Sequence, residues 1–125
     1  MKKYPKEEER MAKHTLFMLA PWFEEDGQGP YYCPDCGLVE GFLFYSPEIR
    51  NEIEIITVDF ERPRQEIVKH LGMENQGSPV LVLDEEGQMP ENAQQSLSTG
   101  KKFLNNPLEI CDFLGEIYNG VKPHP

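Results

Sequence analysis

Residues 14–45 read HTLFMLAPWFEEDGQGPYYCPDCGLVEGFLFY. Their order is a short apolar run, a polar loop, a cysteine pair and a longer apolar run. His14 to Ala20 is closed by Pro21 and has the length of a buried strand rather than a helix. Residues 22–32 hold Gly27, Gly29, Pro30 and the acids Glu24, Glu25 and Asp26, which predicts a loop. Cys33 to Tyr45 reads as a largely buried helix, with Pro34 in its first turn and Ser46-Pro47 as its stop.

Outward from this core, Glu52–Phe60 (EIEIITVDF) is rich in β-branched residues and predicts a strand. Pro63 then stands where a helix can begin. Ile67, Val68 and Leu71 share one face of it, and Gly72 ends it. Pro79–Leu83 (PVLVL) is a buried strand. Asp84 to Gly87 is a turn, with Gln88-Met89 as the return of a hairpin and residues 90–99 as a polar loop. From Gly100 to Asn119, apolar side chains from Phe103 to Ile117 recur at helical spacing, and Pro107 either kinks that helix or restarts it. The expected architecture is α/β, in the order β-α-β-α-β-β-α with a mixed four-stranded sheet. Its first two strands are parallel and its last two form a hairpin.

The chain has 125 residues and a net charge of −10. It divides into a charged, flexible leader over residues 1–12 and one domain over 13–125. An acidic surface repels polyanions, so neither a nucleic acid nor an anionic membrane is expected as a partner. No apolar run approaches the roughly 18–20 residues of a membrane span, and MKKYPKEEER lacks the apolar core of a secretory signal. Three cysteines do not make a disulfide scaffold, so a reducing, cytoplasmic setting is expected.

The compact reactive group is Cys33-Pro34-Asp35-Cys36. Read as a redox dithiol, Cys33 sits at a helix N-terminus, where unpaired N–H groups favour a thiolate, and Cys36 resolves the mixed disulfide that Cys33 forms. Asp35 opposes a second negative charge there. Read as a zinc knuckle, Pro34 shapes the turn and Gly37 follows the second ligand, but two further ligands have to come from elsewhere. An inert structural pair is the third reading.

A first strand, Cys33-x-x-Cys36 opening a helix, then strand, helix and Ser78-Pro79 before a buried strand resemble the thioredoxin and glutaredoxin superfamily. Pro79 falls 43 residues after Cys36. Tyr32 to Cys36, Arg62-Pro63-Arg64-Gln65, Glu74-Asn75-Gln76 and Pro79 to Leu83 are together similar to a bacterial thioredoxin-like family whose function is not established, over roughly Lys13 to the C-terminus. The resemblance implies a thioredoxin-like fold and thiol–disulfide chemistry. Cys33 is then the nucleophile, Cys36 the resolving thiol and Pro79 the cis-proline beside them. The Ser78 backbone is free to pair with an extended substrate. The alternative is a non-catalytic thioredoxin-like binding module with a structural or zinc-bound pair. Tyr32 replaces the tryptophan usual before this dithiol, the first strand carries no acid, and the Pro21–Tyr32 loop is long.

Arg62 and Arg64 are a basic spot in an acidic chain. They can hold a carboxylate-bearing ligand such as glutathione as co-substrate, or pair with Asp59, Glu61 and Glu66. No bound cofactor is expected. The partner is a disulfide-containing protein or a small thiol, and Tyr32, Ser78, Pro79, Arg62 and Arg64 are its candidate contacts. Cys111 reads as a buried small hydrophobe, and His14 and His70 as strand-end or surface residues. Trp22-Phe23 reads as a loop anchor, and Asp84–Glu86 as a solvated turn.

Overall fold

The computed structural model describes residues 13–125; the expected leader over 1–12 lies outside the described residues. Among the described residues there are five strands: β1 (Thr15–Leu19), β2 (Glu54–Val58), β3 (Val80–Val82), β4 (Gln94–Gln95) and β5 (Lys102–Leu104). Three α-helices accompany them: α1 (Pro34–Tyr45), α2 (Gln65–Leu71) and α3 (Pro107–Tyr118). A 3₁₀ turn over Pro47–Asn51 follows α1.

The strands lie in the order β2-β1-β3-β5-β4. β1 runs parallel to β2 with Phe17 opposite Ile56, and antiparallel to β3 with Leu16 opposite Leu81. β5 bridges β3 and β4, antiparallel to both. The side-chain period of two sends successive residues of a strand to opposite faces. Leu16, Met18, Leu81 and Leu104 therefore join one core with Val39, Leu43, Ile110 and Leu114 of α1 and α3. Phe17, Val80, Val82 and Phe103 join the other with Ile67 and Leu71 of α2. Burial on both faces explains why LFML and PVLVL are continuously apolar rather than alternating.

The last part of the chain differs from the expectation of four strands. Gln88-Met89 forms no strand; the sheet instead gains β4 and β5 from residues read as loop and as helix. Phe103 and Leu104 match helical spacing only by running across Pro107. Asn106 breaks that run: its side chain accepts a hydrogen bond from the Glu109 N–H at 3.1 Å, and Pro107 takes the first helical position. Similarly, α2 begins at Gln65 rather than at Pro63, with Arg64 as its cap residue.

Candidate dithiol site

The loop after β1 folds back on itself through paired backbone bonds between Trp22 and Tyr31, 3.0 and 2.8 Å, and delivers Cys33 to the head of α1. Cys33 is the cap residue of that helix. Its Sγ accepts a hydrogen bond from the Cys36 backbone N–H at 3.2 Å, the place a serine or aspartate oxygen takes in an ordinary cap. Pro34, at the first helical position, has no N–H to satisfy, and Asp35 lies in the first turn.

Ser78 lies against both sulfurs. Its carbonyl oxygen is 3.8 Å from Cys33 Sγ, and its hydroxyl oxygen is 3.8 Å from Cys36 Sγ. The same hydroxyl donates to the Phe17 carbonyl at 2.9 Å, which ties this segment to β1. The Ser78–Pro79 peptide is cis, as are Gly29–Pro30 and Arg62–Pro63. Both cysteines are free thiols, 7% and 5% exposed. Burial, reinforced by a hydrogen bond to Cys33, pushes the Cys36 thiol up to about 11; contacts from Leu19 and Ser78 act in the opposite sense. Cys36 thus keeps its proton at neutral pH while Cys33 receives a backbone N–H. Among the described residues no third His, Cys, Asp or Glu joins the pair in a group that could hold a metal ion.

The remaining candidate residues divide sharply. Tyr32, next to Cys33 in sequence, is exposed, and Pro79 is buried. Arg62 is exposed, whereas Arg64 is buried. The Arg64 guanidinium bonds main-chain carbonyls, not the nearby acids: Nε donates to Phe60 O at 2.9 Å, Nη1 to Gln76 O at 2.8 Å, and Nη2 to Phe60 O. Gln76 Oε1 in turn accepts from the Arg64 backbone N–H at 2.7 Å. Trp22 stacks on Phe60 with ring centres 4.2 Å apart and planes 9° from parallel, and the Arg64 guanidinium carbon lies 5.3 Å from the centre of the Phe60 ring. Phe60 and Gln76 carry no role in the sequence reading. Their only signal there is proximity to the Arg62–Gln65 and Glu74–Gln76 segments.

Cys111 is fully buried on α3, and burial pushes its thiol up to about 12. His14 is buried just before β1, and its Nδ1 accepts the Asp84 backbone N–H at 2.9 Å. Asp84 to Gly87 forms the expected turn, closed by a Gly87 N–H to Asp84 O bond. Among the described residues no helix is long and apolar enough to cross a membrane.

The fold resembles the glutathione transferase Omega 2C of Trametes versicolor, with a TM-score of 0.53 at 14% identity over 86% of this chain. The chain spans 40% of that transferase's length. The likeness establishes a thioredoxin-like α/β fold. No curated protein matches the sequence. Residues 13–122 match the profile of the family described as protein of unknown function (DUF3088), and the chain belongs to that family.

Proposed function

We propose that the protein is a thiol–disulfide exchange domain, with Cys33 as nucleophile and Cys36 as resolving thiol. The observation that carries this reading is the cap geometry: Cys33 Sγ, 3.2 Å from the Cys36 N–H, receives a donor that stabilises a thiolate, while Cys36 holds a proton. The Cys33 thiolate attacks one sulfur of a substrate disulfide, forming a mixed disulfide and releasing the other half as a thiolate. Cys36 then loses its proton and attacks Cys33 Sγ. The Cys33–Cys36 disulfide forms, and the second substrate thiolate leaves. Two electrons pass from the dithiol to the substrate.

The partner in this reading is a disulfide-bearing protein or a small thiol such as glutathione, in a reducing compartment such as the cytoplasm. Exposed Tyr32 and Arg62 are the outward contacts. Ser78 supplies backbone beside the reacting sulfurs. The experiment is reduction of a small-molecule disulfide by the reduced chain. The wild type reduces one equivalent of disulfide, Cys33→Ser does not, and Cys36→Ser accumulates the mixed disulfide. An inactive wild type overturns the reading.

The deep burial of both sulfurs favours a second reading, a non-catalytic binding module with a structural or zinc-bound pair. Stoichiometric zinc in the purified protein supports it, and disulfide reduction that depends on Cys33 rejects it.

A further inference from the structure

Arg64 is a buried cation with no buried carboxylate bonded to it among the described residues. It is 7% exposed, and every acceptor its side chain reaches is a neutral main-chain carbonyl. The ion pair present among the described residues is Arg50–Glu40, on the surface and elsewhere in the fold. Removing a guanidinium from water costs several kcal/mol, and carbonyl dipoles offset only part of that cost. An uncompensated charge of this kind favours an anion nearby, because a poorly solvated site screens it weakly.

Glu61 also bears on Arg64 but is exposed to solvent, so the buried groups able to supply that anion are the thiols. Gln76, whose carbonyl holds Nη1, stands two residues before Ser78, whose carbonyl and hydroxyl touch Cys33 and Cys36. We propose that Arg64 is the counter-charge of the Cys33–Cys36 pair, a positioning residue that stabilises whichever sulfur carries the negative charge. This rests on the exchange reading above and assigns Arg64 to the dithiol rather than to a substrate carboxylate. Three of its N–H···O bonds point into the protein, so it is poorly placed to grip a ligand. Arg62, exposed next to it in sequence, is the better residue for a carboxylate. Burial and the charge of Arg62 lower the Arg64 pKa, while the charges of Cys33, Cys36 and Glu61 act in the opposite sense. Coupling of this kind is reciprocal, so a guanidinium favoured by a thiolate favours that thiolate in return.

The test compares the full-length wild type with Arg64→Gln, Arg64→Lys and Gln76→Glu. The readouts are the iodoacetamide rate at Cys33 as a function of pH, and the equilibrium of the dithiol with a glutathione redox buffer. With Arg64→Gln, alkylation at pH 7 falls about tenfold and its pH profile moves up, the direction expected for loss of an opposite charge. The dithiol then becomes harder to regenerate from its disulfide by a similar factor. Arg64→Lys keeps the charge and stays within about threefold of wild type. Gln76→Glu keeps the arginine but sets a carboxylate beside it, and it also slows Cys33. That variant decides the matter if Arg64→Gln does not fold. Wild-type rates and an unmoved pH profile in Arg64→Gln, or in Gln76→Glu where that variant decides, overturn the proposal, as does a Lys variant as slow as the Gln variant. If wild-type Cys33 itself reacts no faster than Cys111, the exchange reading fails instead.

Discussion

Cys33 Sγ and the backbone nitrogen of Cys36 lie 3.2 Å apart, so the proposed nucleophile is also the side-chain cap of the helix it begins. One hydrogen bond serves both fold and chemistry. Cys33→Ser puts a better acceptor at the same place and is expected to match the wild type in stability. Cys33→Ala leaves the Cys36 N–H without its partner and loses about 0.5–1 kcal/mol, the lower part of the range for cap removal. Urea unfolding of the two reduced variants measures the difference. Equal stability of Ser and Ala variants rejects the cap role.

The three thiols are expected to separate under limited alkylation. Cys36, pushed up to about 11, and Cys111, pushed up to about 12, hold little thiolate at neutral pH. Peptide mapping after brief treatment with iodoacetamide at pH 7 is expected to find the label at Cys33. Label first at Cys36 or Cys111 contradicts the assignment.

His14 makes the fold sensitive to mild acid. Burial lowers its pKa, and the charge of Asp84 acts in the opposite sense to a smaller extent. The folded state therefore favours the neutral ring, whose Nδ1 accepts from Asp84 N–H. The unfolded chain takes up a proton near pH 6.5, before the folded chain does, so stability is full above that pH and falls as pH drops through it. His70 shifts in the same direction and adds to the trend. Melting temperature is expected to fall between about pH 7 and 5, with a shallower slope in His14→Gln. His14→Ala leaves the Asp84 N–H unpaired and costs about 1–3 kcal/mol at pH 7. An unchanged acid slope in the glutamine variant removes His14 as the cause.

Two glycines are expected to respond oppositely to alanine. Gly41 lies inside α1 with open space where a Cβ would go, so Gly41→Ala stabilises by about 0.5–1 kcal/mol. Gly72 has φ +86 and ψ 169, and a Cβ there would run into Ser98 Oγ and Glu74 Oε1. Gly72→Ala costs about 1–3 kcal/mol or more. Denaturant midpoints of the two variants check the signs, and a stabilised Gly72→Ala would contradict the backbone geometry at that turn.

The parts of the fold that were legible in the sequence are those decided locally. β1, α1 and β3 announce themselves by run length, a proline at a helix start and β-branched content. α3 was legible only from Asn106-Pro107 onward, because the cap competes with an apolar spacing that continues back to Phe103. β4 is a pair of exposed glutamines, Gln94 and Gln95, that become a strand only by pairing with Phe103 and Lys102. No periodicity marks such a strand. In the candidate site, Cys33 and Cys36 could be named from their spacing, and Ser78 and Pro79 from the family resemblance. The setting of Arg64 could not: Phe60, Gln76 and Trp22 come from separate segments, and only the folded chain brings them together.

The margins of the sheet bear on how the protein behaves when crowded. One margin is β4, two residues long and made of glutamine. The other is β2, which exposes Glu54 and Thr57. A strand from another chain would find few ladder positions at the first and a charged residue at the second, on a protein that carries a net charge of −10. The segments with real propensity to assemble, TLFML and PVLVL, are the two central neighbours β1 and β3, paired on both sides. Self-association through cross-β pairing therefore requires the sheet to open first, and variants that lower stability are the ones expected to precipitate.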